Sequence, residues 1–282
     1  MKAPWIGRII VTLALLTGCA APRTLGGESS HDMPLRPYVG QLRTVQIDIA
    51  GHPATLIFDT GAGITAITPE FAATVGCRPH AHISGFRMNG ERVSFQRCDA
   101  LSVQIGGERS ERELGVFDLA AVLPEGLPHV DGIAGLDIFD GRTITLLPGL
   151  SGVRVETASM PQNVAATAPG HLRLGREAGG VGLTAFARAQ SPQGDIWLLL
   201  DSGNLAGVRL HPWAAAALGA PTGATATRRV NLSVEGAEAA AVDAQVVDDL
   251  IYDGALDAGF IEAHEVTLDL QHGRVWWRTA PH

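Results

Sequence analysis

The alternation of apolar and polar residues predicts a protein built mainly of β-strands. Residues 43–49 alternate between polar and apolar side chains, which is typical of a strand with one buried face. Residues 54–58 form an apolar run, which indicates a strand buried on both faces. Asn89 and Gly90 lie between two alternating runs, and this dipeptide favours a tight hairpin turn. Similar patterns predict further strands at 101–105, 112–117 and 142–147.

The same succession of elements occurs a second time along the chain. The apolar strand at 54–58 ends in Asp-Thr-Gly at 59–61, and an apolar strand at 195–200 ends in Asp-Ser-Gly at 201–203. A short helix that begins with proline and ends at glycine is predicted after each motif, at 69–76 and 212–219. The chain is therefore interpreted as a tandem duplication of one β-rich unit.

The two copies differ in length. Asp131 follows Asp59 by 72 positions, whereas its counterpart Asp253 follows Asp201 by 52 positions. The second copy therefore lacks about one hairpin. Between the copies, the sequence loses its periodicity and gathers Gly, Ser, Ala and Pro. We accordingly expect a first lobe at 38–150, a linker at 151–170 and a second lobe at 171–282.

The N-terminal segment is expected to direct export rather than to form part of the fold. A basic start precedes an apolar run at 9–16 that is too short for a stable membrane span. The run leads into Leu-Thr-Gly-Cys, which resembles the cleavage box of bacterial lipoproteins and implies a lipid on Cys19. We expect an anchored protein that faces the periplasm, and Ala20 favours the outer membrane; without the lipid the protein would be secreted. The corresponding segments are a signal peptide at 1–18 and a flexible tether at 19–37.

The composition narrows the classes of function. The 282 residues are 46% hydrophobic and 18% charged, with a formal net charge of −8. Because the chain has no basic stripe, we do not expect it to bind nucleic acid.

The cysteines leave one question open. With Cys19 assigned to the lipid, Cys77 and Cys98 are compatible both with a disulfide and with two separate buried thiols. Cys77 could also join His80 and His82 around a metal ion, but a complete set of four ligands is not visible. We therefore expect neither a metal nor a cofactor.

The two repeated motifs resemble the active-site motifs of aspartic peptidases, in particular of the retropepsin-like and pepsin-like families. Each motif ends an apolar strand and is followed downstream by an apolar segment with glycine, and the resemblance extends from Leu42 to Arg278. It implies two retropepsin-like closed β-barrel lobes in tandem, with one short helix each, in a bilobal acid-protease fold. It also implies an endopeptidase that hydrolyses peptide or protein substrates in a cleft between the lobes.

The resemblance assigns the chemistry to a pair of aspartates, Asp59 and Asp201. Two carboxyl groups a few ångströms apart cannot both ionise easily, so they share one proton. One carboxylate can then accept a proton from a water molecule while the other carboxyl donates one to the scissile carbonyl. Hydrogen bonds between the lobes and backbone N–H groups would support this dyad, and the residues that provide them would be Thr60, Gly61, Ser202 and Gly203.

The hairpin at Asn89 and Gly90 would be the flap that closes over a bound substrate. Phe86 and Met88 would supply its apolar contacts. Pepsin-like enzymes carry a tyrosine in the flap, whereas the two tyrosines of this chain lie at 38 and 252. The flap is therefore expected to resemble that of retropepsins.

The second motif departs from the family pattern. Asn204 follows it where the family usually has Ala, Ser or Thr. Asp257 occupies the place of Gly135, which by the resemblance would lie behind Asp59, and a third carboxylate near Asp201 would disturb the dyad unless it points to solvent. Two alternatives therefore stay open: a non-catalytic peptide-binding or scaffold lipoprotein with this fold, and a homodimeric enzyme that uses Asp59 alone. Because both motifs occur in one chain, a monomer is expected.

Overall fold

Two lobes and a sheet that joins them make up the computed structural model, which describes residues 31–124, 126–156, 164, 168–220 and 227–279. The described residues form 21 strands and three short α-helices, so the prediction of a mainly β, bilobal protein is confirmed. The strands of the first lobe are β1 His31–Pro37, β2 Arg43–Ile49, β3 His52–Phe58, β4 Ala66–Ile67, β5 His80–Phe86, β6 Arg92–Arg97, β7 Leu101–Ile105, β8 Glu108–Arg112, β9 Gly115–Val116, β10 Gly132–Ala134, β11 Thr143–Leu146 and β12 Gly152–Val155. Those of the second lobe are β13 Gly170–Gly175, β14 Thr184–Ala189, β15 Ile196–Leu200, β16 Val208–Leu210, β17 Thr227–Leu232, β18 Ala240–Val246, β19 Gly254–Leu256, β20 His264–Asp269 and β21 Arg274–Thr279. The helices are α1 Pro69–Thr74, α2 Pro212–Ala217 and α3 Ala258–Glu262.

A six-stranded antiparallel sheet bridges the lobes. Its strand order is β1-β12-β11-β20-β21-β13, with three strands from each lobe. The central pair, β11 and β20, brings Thr145 opposite Thr267, and their hydroxyl oxygens lie 2.9 Å apart. These two threonines occupy equivalent positions in the duplicated units, so the local two-fold axis passes between them.

The two halves repeat each other strand for strand around the motifs. The apolar strand β3 pairs in parallel with β10, and β15 pairs in parallel with β19. Both β3 and β15 are buried, as their apolar runs predicted, with Leu56 and Leu198 fully inaccessible. Burial of such a side chain contributes roughly 1.5–3 kcal/mol, so each motif begins at the end of a firmly held strand.

The second lobe is shorter in the region of the flap. Ile67 and Arg97 are 30 positions apart, whereas their counterparts by strand register, Leu210 and Thr227, are 17 apart. The described part of the second lobe has no counterpart of β5 or of the flap turn. Residues 221–226 lie outside the described ranges.

The second lobe is also shorter in the loop that follows β9. Val116 and Asp131 are 15 positions apart, whereas Val246 and Asp253 are 7 apart. In the first lobe this loop carries a 3-10 helix at Leu119–Ala121 that packs beside the cleft. The missing length predicted from the sequence is thus divided between the flap and this loop.

The first strand begins earlier than the sequence predicted. The sequence predicts a tether at 19–37, but residues 31–37 form β1, which pairs with β12 and then with β2. Met33 and Leu35 are its buried residues. Two prolines obscured this short alternation, and they are tolerated because β1 lies at an edge of the bridging sheet.

Three other boundaries differ from the predictions. The linker predicted at 151–170 contains β12, so the first lobe extends to Val155, while residues 157–163 and 165–167 lie outside the described ranges. In place of the strand predicted at 112–117 there are two strands, β8 and β9, and β8 begins directly after the Gly106-Gly107 turn, which pairs it with β7. The second lobe has a second short helix, α3, because Asp257 caps its N-terminus.

A disulfide joins Cys77 and Cys98, whose Cα atoms lie 5.7 Å apart. It connects the chain after α1 to the end of β6, at the base of the flap hairpin. Cys19, the signal peptide at 1–18 and the first part of the tether lie outside the described residues. Within the described ranges, no helix is long and apolar enough to cross a membrane.

Candidate active site

Two aspartates begin the loops after the buried strands β3 and β15. The backbone N–H of Asp59 donates to Ala134 O at 3.0 Å, and that of Asp201 donates to Leu256 O at 3.3 Å. Each acceptor is the last residue of the parallel neighbour, β10 or β19. The parallel pairings therefore fix both aspartates at the same height, on opposite sides of the two-fold axis.

The two carboxylates are adjacent and share a hydrogen-bond donor. The N–H of Gly203 donates to Asp201 Oδ1 at 3.0 Å and to Asp59 Oδ1 at 3.2 Å. The N–H of Gly61 donates to Asp59 Oδ1 at 2.8 Å. Asp59 Oδ1 thus accepts from both motif glycines, and Asp201 Oδ1 shares one of these two donors.

The glycines of the motifs allow this close approach. A Cβ atom at Gly61 would lie 2.5 Å from Asp201 Cγ, and one at Gly203 would overlap the carboxylate of Asp59. Each glycine therefore packs against the aspartate of the other lobe. Any side chain at either position would force the two carboxylates apart.

The hydroxyl residues of the motifs cross-link the lobes. Thr60 N donates to Ser202 Oγ and Ser202 N donates to Thr60 Oγ1, each at 3.0 Å. Thr60 Oγ1 also donates to Leu200 O at 2.7 Å. These bonds are buried, so they are shielded from competition with water and hold the two loops in one arrangement.

The environment raises the pKa of both carboxyl groups, but unequally. Burial raises the pKa of Asp59, although the N–H groups of Gly61 and Gly203 oppose this change. Burial and the nearby charge of Asp59 raise the pKa of Asp201 well above its ordinary value. Asp59 keeps a partly accessible face on the cleft, whereas Asp201 is buried. Because the pair titrates as one unit, the shared proton is favoured on Asp201.

The two unusual residues of the second lobe do not face the carboxylates. Asn204 Nδ2 donates to Gly207 O at 2.9 Å and its Oδ1 accepts from Ala206 N at 3.1 Å. It stabilises a loop that is one residue longer than its counterpart. Asp257 Oδ1 accepts from Phe260 N at 3.1 Å, as the cap of α3. The expected disturbance of Asp201 by Asp257 does not occur, because the Asp257 carboxylate is turned to its own helix.

Gly135 is close to a different neighbour from the one expected. A Cβ atom there would lie 2.9 Å from Asp137 Oδ1 and 3.3 Å from Ile64 C, rather than against Asp59. Its N–H donates to Thr65 Oγ1 at 3.0 Å, and Thr65 Oγ1 donates to Asp137 Oδ1 at 2.6 Å. Burial raises the pKa of Asp137 to about 6. Gly135 thus supports the loop after Asp59 rather than its carboxylate.

A cleft of about 880 Å³ opens above the two aspartates and is lined by both lobes. The β5–β6 hairpin reaches across it. Its tip is attached to the second lobe, because Ile251 N donates to Met88 O at 3.0 Å and Gly90 lies against Ile251. Phe86 is 55% exposed at the rim, and Asn89 also lines the cleft. The residues predicted for a flap therefore lie over the cleft.

The residues that form the side walls of the cleft were not predicted from the sequence. On the first-lobe side they are apolar and include Phe117, Leu119, Val122 and Leu123. On the second-lobe side they are more polar: Tyr252 OH donates to Glu177 Oε1 at 3.0 Å, and Arg209 lies nearby in the same cleft. Tyr252 could have been found from the repeat, because it precedes Asp253 as Val130 precedes Asp131. Glu177 and Arg209 have no comparable sequence signal.

The cysteine and histidine cluster before the flap is not arranged as a metal site. Cys77 is bonded to Cys98, and His80 Nε2 lies 3.5 Å from Asp99 Oδ1. Among the described residues, no group of three or more His, Cys, Asp and Glu side chains is placed to hold a metal ion.

Comparisons with known proteins agree with the fold and with the first motif. Residues 45–139, about a third of the chain, match the family described as gag-polyprotein putative aspartyl protease. The matched segment contains Asp59, the flap hairpin and Gly135. The first lobe is therefore similar to a retropepsin-like aspartyl protease domain, and the predicted resemblance is confirmed.

The likeness in structure covers both lobes. The chain is similar to the crystal structure of basic 7S globulin from soybean, with a TM-score of 0.56 over 88% of this chain and 96% of that one. The two sequences are 10% identical, so this likeness establishes the bilobal aspartic-protease fold and does not establish an activity. No curated protein matches the chain by sequence.

Proposed function

We propose that the protein is an aspartic endopeptidase in which Asp59 and Asp201 act together on a water molecule. The observation that carries the proposal is the shared donor Gly203 N, which lies within 3.2 Å of both carboxylates. The hydrogen bonds between Thr60 and Ser202 support it, because they preorganise the pair before substrate binds.

The unequal environments suggest a role for each aspartate. Asp59, which receives two backbone N–H groups, is the carboxylate that accepts a proton from water. Asp201, whose pKa is raised further, carries the shared proton and donates it to the oxygen of the scissile carbonyl. The water oxygen bonds to the carbonyl carbon, giving a neutral tetrahedral gem-diol. When the C–N bond breaks, Asp59 gives its proton to the leaving nitrogen and Asp201 takes one from a gem-diol hydroxyl, so that the amine and the acid product are released and the dyad is restored.

The cleft and flap support a peptide as the substrate. An extended chain can lie across the cleft, between the aspartates below and the hairpin above. Its side chains would contact the apolar wall of the first lobe and the polar wall of the second. The dyad is complete within one chain, because Asp201 occupies the place beside Asp59 that a second copy would otherwise fill. A homodimer that uses Asp59 alone is therefore disfavoured.

For the location, we propose the periplasmic face of the cell envelope, with a lipid on Cys19. Cys19 and His31, the first described residue of β1, are twelve positions apart. Twelve positions span at most about 40 Å, so a lipid on Cys19 would keep the cleft near the membrane. Labelling with an alkyne-tagged fatty acid should mark the wild-type protein and not Cys19→Ala. Equal labelling of both would contradict the lipid anchor.

The activity is tested with a library of quenched fluorescent peptides at acidic to neutral pH. The full chain, purified in detergent, is compared with Asp59→Asn, Asp201→Asn and the control Asp243→Asn, whose carboxylate is exposed in β18. We expect cleavage by the wild type and the control, and its loss in both dyad variants. Full activity in Asp201→Asn would contradict the two-aspartate mechanism. Binding of peptides without cleavage at any pH would favour the non-catalytic alternative.

A further inference from the structure

The local two-fold axis relates an alanine in one wall of the cleft to an arginine in the other. Ile133 of β10 pairs with Ala66 of β4, and its equivalent Ala255 of β19 pairs with Arg209 of β16. Both Ala66 and Arg209 line the cleft. The two halves of the cleft therefore differ in charge at equivalent positions.

In the first lobe, the space around Ala66 is filled by apolar side chains. A Cβ atom at Gly115, beside Ala66, would lie 3.1 Å from Ala66 Cβ and 3.3 Å from Phe95 Cδ2. Phe95 belongs to β6, the returning strand of the flap. The described part of the second lobe has no flap turn and no strand that corresponds to β5, and the longer side chain of Arg209 stands in the place of Ala66.

Arg209 has no partner among the described residues. Its guanidinium forms no hydrogen bond or ion pair with them, and its Nε is buried without an acceptor. The other arginine that lines the cleft, Arg87, is paired with Glu91 at 3.1 Å. A partly buried cation without an acceptor is unfavourable, and an ionised carboxylate is the acceptor that best matches a guanidinium.

The neighbouring acidic groups do not supply that carboxylate. Glu177 accepts the hydroxyl of Tyr252, and Asp59 and Asp201 bind the N–H groups of the motif glycines. A carboxylate of a bound ligand would supply the missing acceptor.

We propose that Arg209 determines specificity by binding a carboxylate of the peptide substrate. The preferred substrate then has an apolar side chain against the first lobe and a carboxylate against the second. This inference rests on the proposed peptidase function. The carboxylate can belong to an acidic side chain or to the free C-terminus of a short peptide.

The test uses peptide pairs in which a single position is Glu or Gln, each with a free or amidated C-terminus. The full chain is compared with Arg209→Gln, with Arg209→Lys, which keeps the charge, and with Arg36→Gln, a control at an exposed arginine of β1. At one of the tested positions in the peptide, we expect the wild type and the control to have a kcat/KM about tenfold higher for Glu than for Gln. Arg209→Gln should reduce this ratio to about one, and Arg209→Lys should keep part of it.

The amidated peptides distinguish the two sources of the carboxylate. A preference that persists in amidated peptides assigns the acidic side chain, and one that disappears on amidation assigns the C-terminus. Equal kcat/KM for Glu and Gln at every position, with no effect of amidation, would overturn the proposal. So would an unchanged preference in Arg209→Gln.

A binding measurement separates this proposal from the peptidase function. Fluorescently labelled versions of the same peptides are titrated against Asp201→Asn with and without Arg209→Gln. The peptidase function fails if no peptide is cleaved by the wild type. The role of Arg209 still stands if the carboxylate peptide binds Asp201→Asn more tightly than the peptide without the carboxylate and if this difference disappears in the double variant. Equal Kd values for the two peptides in both proteins would overturn the role of Arg209 alone.

Discussion

Thr60 and Ser202 exchange hydrogen bonds across the two lobes, and each hydroxyl oxygen lies 3.0 Å from the backbone nitrogen of the other residue. The exchange is buried directly beneath the paired carboxylates. It means that neither lobe alone completes the loop that carries its aspartate. A substitution that breaks this exchange is therefore expected to lower the stability of the protein and to disturb the geometry of the two carboxylates.

We expect Thr60→Val to impair both folding and activity. The change leaves Ser202 N without an acceptor and Leu200 O without a donor, and each such loss costs about 1–3 kcal/mol. Urea denaturation should show a fall of about 2–4 kcal/mol in the free energy of unfolding. Thr60→Ser, which keeps the hydroxyl, should stay close to wild type in both unfolding and kcat/KM. Equal behaviour of the two variants would show that the hydroxyl is dispensable.

We expect Asp201→Asn to stabilise the protein at neutral pH while it abolishes cleavage. The folded-state pKa of Asp201 is raised, so ionisation disfavours the folded state as pH rises above the ordinary carboxyl pKa. Replacing the ionisable carboxyl by an amide removes this linkage and should raise the free energy of unfolding at pH 7 by about 1 kcal/mol. Thermal unfolding from pH 3 to pH 8 should show the two curves converging at acidic pH. A variant less stable than wild type at pH 7 would argue against the raised pKa of Asp201.

We expect Gly90→Ala to weaken substrate binding through the flap. Gly90 has a φ of +77°, and a Cβ atom there would lie 3.2 Å from Ile251 Cγ2 in the second lobe. Gly51 offers a matched control, because its φ is +83° and a Cβ atom would meet nothing within 4 Å. Both substitutions should cost about 1 kcal/mol of stability. Steady-state kinetics should show a raised KM for Gly90→Ala alone, and equal KM values would contradict a closed flap.

We expect Asp137→Asn to remove a loss of stability between about pH 4 and pH 6. Burial raises the pKa of Asp137 to about 6, so the folded protein holds a proton that the unfolded chain has released. Stability therefore falls as pH rises through this window, by up to about 3 kcal/mol. Denaturation curves at several pH values should show a smaller decline in the variant. Asp140, whose pKa is lowered by Arg176, is a control, because Asp140→Asn should leave this window unchanged.

The parts of the fold that depend on local pattern could be predicted from the sequence. The apolar strands before Asp59 and Asp201 are strong signals because they are buried on both faces. Thr68 and Pro69 mark the start of α1, since the Thr68 side chain accepts from Phe71 N at 3.2 Å. The bridging strand β1 was missed, because its pairing with β12 depends on residues far along the chain.

The candidate site could be predicted only where the repeat shows it. The motif residues could be matched in pairs, and the structure brings those pairs together. Arg209 carried no signal, because its position is defined by strand register with Ala255 rather than by spacing from the motif. The direction of the Asp257 side chain could not be predicted for a similar reason. The sequence shows a carboxylate opposite Gly135 but not the helix that this carboxylate caps.

The unequal lengths of the two lobes have a consequence for how such a site can change. In an assembly of two identical subunits, every substitution appears on both sides of the axis, so a new arginine would enter both walls of the cleft. Joining the copies in one chain removes this constraint. One half can keep the flap and an apolar wall while the other loses both and gains a charge. The fusion thus permits directionality: a peptide chain has distinct ends, and only an unsymmetrical groove can tell them apart.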